Sequence, residues 1–239
     1  MMYPVVAKVS HLISEGDARA AETALVAFAE SEGDVVLSQV IETMPAADLI
    51  AILREHDSSC SSIVGELISP EAFLAALALD AKYNDKTHDA LRGMINAVIF
   101  RDGDPDPFIE AMGRAESGIL ALVSYFSDYD EEIDWFFRNG AFDSFDADDQ
   151  HPLPADDSDL VECELGISAH QPKVELNEVR DGDWHELAWR LRYDHFETFG
   201  EVLRLLRGRT RKLAATTPKS TKGSGTPSDD EDDDDEDVL

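Results

Sequence analysis

Residues 69–99 read SPEAFLAALALDAKYNDKTHDALRGMINAVI. Ser69-Pro70 marks a helix start, because proline fits the first turn, where its missing N–H would have no partner in any case. The following run, Glu71–Tyr83, contains AFLAALALDA, made chiefly of alanine and leucine, both strong helix formers. Asn84-Asp85-Lys86 interrupts it. From Thr87 to Ile99 the apolar residues Leu91, Met94, Ile95, Val98 and Ile99 recur at three- and four-residue intervals. That spacing is one face of a helix, not the alternation of a strand. Two such helices joined by a short polar turn form an antiparallel hairpin.

The same arrangement extends towards the amino terminus. Val5, Val6, Val9, Leu12 and Ile13 follow helical spacing, and Ser14-Glu15-Gly16-Asp17 breaks that helix and caps the next, Ala18–Ala29. Glu32-Gly33-Asp34 precedes Val35–Met44, and Pro45 opens Ala46–Arg54. A Ser/Cys-rich turn, Asp57–Ser62, leads to Ile63–Ile68. The Glu-Gly-Asp phrase recurs after 17 residues, so that Glu15–Ala21 looks like half of a tetratricopeptide unit of about 34 residues. The Trp/Leu/Gly/Tyr pattern of that repeat is missing, and no third copy follows.

The stretch from Glu42 to Glu55, ETMPAADLIAILRE, resembles a helix pair of the amino-terminal superhelical domains of FliG-type flagellar rotor proteins and MgtE-type magnesium transporters. In those families a Pro-Ala-Asp-hydrophobic phrase starts a helix that ends in Leu-Arg/Glu-Glu. The resemblance covers 14 residues and implies a shared way of stacking helices, with no functional residue carried over. No transporter membrane domain accompanies it.

Towards the carboxyl terminus, Phe108–Met112, Gly118–Phe126 and Glu131–Phe137 continue the array, and the phrase from Ile133 to Gly140 ends like a helix with a glycine C-cap. Trp135, Phe136, Phe137, Phe142 and Phe145 supply the largest aromatic content. Residues 143–160 then turn acidic, with seven aspartates and Pro152 and Pro154, and read as a linker. Leu160–Ser168 and Lys173–Val179 alternate weakly and form a candidate β-hairpin. Asp181-Gly182-Asp183 opens a long last helix, Trp184 to Leu213, expected to pack back on the array through Trp184, Leu187, Leu191 and Phe199. Residues 214–239 pass from Thr/Ser/Pro/Gly/Lys to an acidic run and bury too little apolar surface to offset the entropy of ordering, so disorder is expected there. The expected fold is therefore all-α in the main: an antiparallel array of short helices over 1–142, an acidic linker over 143–180, a long C-terminal helix over 181–213, and a disordered acidic tail over 214–239.

Charge narrows the function classes. The 239 residues carry 51 acidic and 20 basic side chains, a formal net charge of −31. Nine of the acidic groups lie within 227–239, and the body remains acidic without them. Such a field repels nucleic acids and anionic lipid surfaces and attracts basic partners. Aspartate outnumbers glutamate by 30 to 21, and arginine lysine by 13 to 7, a balance also found on surfaces adapted to high salt. Cys60 and Cys163 form no CxxC or Cys/His cluster, which fits reduced thiols in the cytoplasm. The start of the sequence has no apolar segment long enough for a signal peptide, and no window approaches a membrane span, so neither secretion nor membrane insertion is expected.

Little in the sequence points to catalysis, a cofactor or a metal. Asp102-Gly103-Asp104-Pro105-Asp106 imitates the start of a calcium loop, but Pro107 stands where the sharp turn needs glycine and Gly113 where a bidentate glutamate belongs. His185-Glu186 on the last helix lacks the second histidine of a zinc-protease motif. There is no Gly-rich phosphate loop and no Gly-x-Ser-x-Gly elbow. The informative feature is charge order. Arg204, Arg207, Arg209, Arg211 and Lys212 lie in a stretch, 202–222, without a single acid, and Asp232, Asp233, Asp234 and Asp235 sit in the nearly pure acidic run behind it. Tethered by a short flexible segment, the two can meet at an effective concentration on the order of mM. These residues are the expected partner-binding set of a non-catalytic adaptor, chaperone or regulator with basic protein partners. The alternative is a nucleic-acid-associated protein that uses Arg204–Lys212 as its contact, gated by the tail.

Overall fold

The computed structural model describes residues 3–55, 61–83, 87–143, 154, 156–160 and 173–216. The acidic tail, Asp232–Asp235 included, and nearly all of the first arm of the expected hairpin lie outside the described residues.

The helices follow the sequence punctuation. They are α1 (Pro4–Ser14), α2 (Ala18–Glu32), α3 (Asp34–Ile41), α4 (Ala46–Arg54), α5 (Ile63–Leu67), α6 (Pro70–Asp80), α7 (Asp89–Ile99), α8 (Asp106–Arg114), α9 (Glu116–Tyr125), α10 (Asp130–Asn139), α11 (Trp184–Asp194) and α12 (Phe196–Thr216). Several starts are capped by side chains that accept orphan backbone N–H groups. Asp17 accepts from Ala20, Ser62 from Gly65, Ser69 from Ala72 and Asp183 from His185. Helix α10 ends on Gly140, whose φ of 76° is left-handed and unfavourable for other residues.

Packing runs from helix to helix along the chain. The α1–α2 pair leans on α4, α4 meets α6 and α7, and α6 meets α8 and α9. Helix α9 lies along α12, which α10 and α11 cover. Because each apolar face meets the next, the core is a single cluster from Val6 to Leu206. Phe73 and Phe108 meet edge-on at its centre, 5.9 Å apart. Leu187, Leu191 and Phe199 are fully buried, and Trp184 stacks on Tyr129 at 4.5 Å, so the carboxyl-terminal helices do return to the array.

Two expectations need correction. The last helix is two helices, because His195 leaves the helical region at φ −133° and ψ 51°. The apolar stripe shows why: Leu187, Ala188 and Leu191 call for the next apolar residue at 194 or 195, where Asp194 and His195 stand. The stripe resumes one step out of phase at Phe196, Phe199, Val202, Leu203 and Leu206, and the break restores its alignment with the core. The second hairpin arm, Lys173–Val179, is a bend and a 3₁₀ turn at Leu176–Glu178 instead of a strand. Glu175 and Glu178 close that turn as a reciprocal capping box. Among the described residues no single helix is long and apolar enough to cross a membrane.

Candidate partner-docking groove

Helices α8 and α9 are separated only by Ala115, whose extended backbone, φ −116° and ψ 132°, makes a sharp corner. Gly113 sits just before that corner. A Cβ placed there would lie 2.2 Å from Thr198 Oγ1, so the missing side chain is what lets α8 approach α12. Opposite the corner stands the α11–α12 break. His195 is held by Asp106 at the start of α8, Nε2 to Oδ1 3.2 Å, with its side chain nine-tenths buried. The α8–α9 corner and the α11–α12 break thus both line an open groove of about 650 Å³.

Carboxylates dominate the walls: Glu110, Glu116, Asp194, Glu197 and Glu201, with Ile119 and Phe196 supplying apolar surface. Arg114 is the wall's one arginine, and Glu110 already neutralises it at 2.7 Å. Glu201 holds Arg204 at 2.8 Å. Glu116 and Glu197 have no cationic partner among the described residues. Burial, followed by the negative charge of Asp106, raises the Asp194 carboxyl above its ordinary value, against the pull of His195 and Arg190. With two unneutralised carboxylates on its walls, the groove favours a cation over a further negative charge.

The basic stretch expected to act as one surface is divided. Arg207 points inward and is 1% exposed. Its Nε donates to Asp134 Oδ1 at 2.7 Å, and its two terminal nitrogens donate to Asp159 Oδ1 and Oδ2, both at 2.8 Å. Burial disfavours the Arg207 charge, but the carboxylates of Asp159 and Asp134 outweigh burial and hold its pKa above the ordinary value. Asp159 is the converse: burial opposes ionisation, yet the Arg207 guanidinium holds the carboxyl below its usual range. Arg211 reaches Asp157 Oδ1 at 3.0 Å and the carbonyls of Pro154 and Asp156. Together the two arginines fasten the end of the acidic linker to α10 and α12. Arg207 therefore leaves the expected contact set. Arg204 is half-exposed and paired, whereas Arg209 and Lys212 are exposed. Asp232, Asp233, Asp234 and Asp235 lie outside the described residues.

Arg207 follows Leu203 by four residues, which puts it on the buried stripe of α12, and that spacing was the available signal. The acidic groove had no comparable signal, because its carboxylates come from four helices whose crossing no local pattern reports. Among the described residues no group of three or more His, Cys, Asp or Glu side chains is placed to hold a metal ion. No family model, curated protein or solved structure matches the chain.

Proposed function

We propose that this chain is a non-catalytic adaptor, chaperone or regulator, acting in the cytoplasm, whose groove between the α8–α9 corner and the α11–α12 break receives a basic segment of a protein partner. The observation that supports this reading is the wall composition: five carboxylates against a single, already neutralised arginine. In a chain of net charge −31 the long-range field draws a cationic segment in, and the groove offers unpartnered carboxylates where it arrives. Ile119 and Phe196 add apolar surface for the segment's side chains.

The test uses two labelled peptides of equal length, one alternating lysine and leucine and the other glutamate and leucine, titrated into the full chain. The lysine peptide is expected to bind and the glutamate peptide not. Glu116→Lys combined with Glu197→Lys, both at exposed positions, should weaken lysine-peptide binding about tenfold or more. Equal affinity in the variant overturns the proposal. The nucleic-acid alternative rests on fewer cations than the sequence counts, since Arg207 is buried and Arg211 is engaged by the linker.

A further inference from the structure

We infer that the acidic run of this chain, residues 229–237, docks in cis on a second groove, between α6, α7, α9 and α12, with Arg209 as its anchor. This groove has a volume of about 530 Å³, with Leu77, Ala78, Leu91, Leu120 and Ala121 as apolar lining and Arg209 on its rim. Leu120 is 44% exposed. On α12, Leu205, Arg209 and Leu213 recur every fourth residue and so share one face, and both leucines are also exposed. An apolar and cationic strip is thus left uncovered on a molecule that carries a large negative excess.

Charge and reach select the occupant. Arg204, Arg207 and Arg211 each hold a carboxylate, whereas Arg209 has no partner among the described residues. Asp80, also on the lining, is already engaged by Arg54. Arg209, exposed, is therefore open to an anion from outside the described residues, and the densest source in the chain is the run DDEDDDDED at 229–237. Arg209 lies seven residues before the end of α12 at Thr216, about 10 Å back along the helix axis. The 12 residues between Thr216 and Asp229 can span up to about 40 Å when extended, and a random coil of that length averages about 20 Å. The return is within reach of even a moderately compact linker. A single exposed ion pair contributes little between separate molecules. Tethering supplies an effective concentration on the order of mM, and Val238 and Leu239, directly behind the acids, can enter the apolar groove. The segment then acts as a built-in competitor that an acidic partner or salt displaces.

This inference is independent of the basic-segment groove, although Glu116 lines both. The experiment compares backbone amide spectra of the full chain with those of a full-length chain whose acids at 229–237 are replaced by asparagine and glutamine. At low ionic strength the differences should centre on His88, Leu91, Leu120, Arg209 and Leu213. They should vanish at about 1 M salt, where the screening length is about 3 Å. Arg209→Glu, at an exposed position, should give the neutralised chain's signals at His88 and Leu120. Superimposable spectra at those residues, or differences centred on other cations, overturn the inference. So do differences that grow with protein concentration, which would mean docking on a second copy. The neutralised chain should still bind the lysine peptide, so failure of one reading is distinguishable from failure of the other.

Discussion

Arg207 shows how burial changes the meaning of a residue type. Counted along the sequence it is one of five cations in a basic stretch; in the fold it is a buried hub joining α10, α12 and residue 159. Asp134 is likewise fully buried, although it sits between Ile133 and Trp135 on an otherwise amphipathic helix. Removing Arg207 leaves the buried Asp134 with only the partly exposed Arg138, 2.8 Å away, as counter-ion, at a cost of up to about 3–5 kcal/mol. Arg207→Met should therefore lower stability by that amount in urea unfolding, and adding Asp134→Leu should recover more than about 1 kcal/mol of the loss. No recovery in the double variant would show that Asp134 is not the group left stranded. Asp159 gives the network a pH signature. Its folded-state pKa lies below the unfolded value of about 3.9, so its contribution is fully present above that value and is lost as pH falls through the lower folded one. The stability gap between wild type and Asp159→Asn should stay constant from pH 7 to about 5 and close below about 4. A gap that persists in acid would contradict the ion-pair account.

At the scale of elements, most helices were legible because apolar periodicity, caps and prolines agree. The stretch 69–99 shows this: Ser69 caps, Pro70 starts the helix, and Leu91 to Ile99 are buried on one face. The α11–α12 break was not, since no glycine or proline marks it and only the phase slip at Asp194-His195 records it. The hairpin arm failed because weak alternation over seven residues fits a capped 3₁₀ turn equally well. Helix crossings are invisible to periodicity, and glycines test them. A Cβ on Gly65 would meet the Ala97 carbonyl oxygen at 2.4 Å, where α5 crosses α7, and a backbone atom cannot easily yield. Gly65→Ala should cost about 1–3 kcal/mol through overpacking. Gly93, inside α7, has nothing within 4 Å of the same position. Gly93→Ala should instead leave stability unchanged or raise it by up to about 1 kcal/mol, through helix propensity. Thermal unfolding of the two variants side by side checks both signs.

For the whole molecule, the core is continuous while the net charge is −31, so cohesion is apolar and local whereas repulsion is electrostatic and spread over the surface. The two respond differently to salt. Repulsion among exposed carboxylates falls once the screening length drops from about 10 Å at 0.1 M to about 3 Å at 1 M. The Arg207–Asp134 pair, 1% exposed on both side chains, is screened far less. Added salt should therefore remove a destabilising contribution and leave the main stabilising ion pair in place. The melting temperature should rise steadily from low ionic strength to about 1 M, by similar amounts in sodium and potassium chloride, because screening depends on ionic strength and not on the cation. The Arg207→Met variant should rise in parallel with wild type, since its deficit lies in the screened-off interior. A wild-type melting temperature that falls with salt would mean that surface ion pairs, not the apolar stack, hold the helices together. A rise confined to one cation would mean that bound ions and not a diffuse atmosphere neutralise the carboxylates, and the groove lined by Glu116 and Glu197 would then be the first place to look for them.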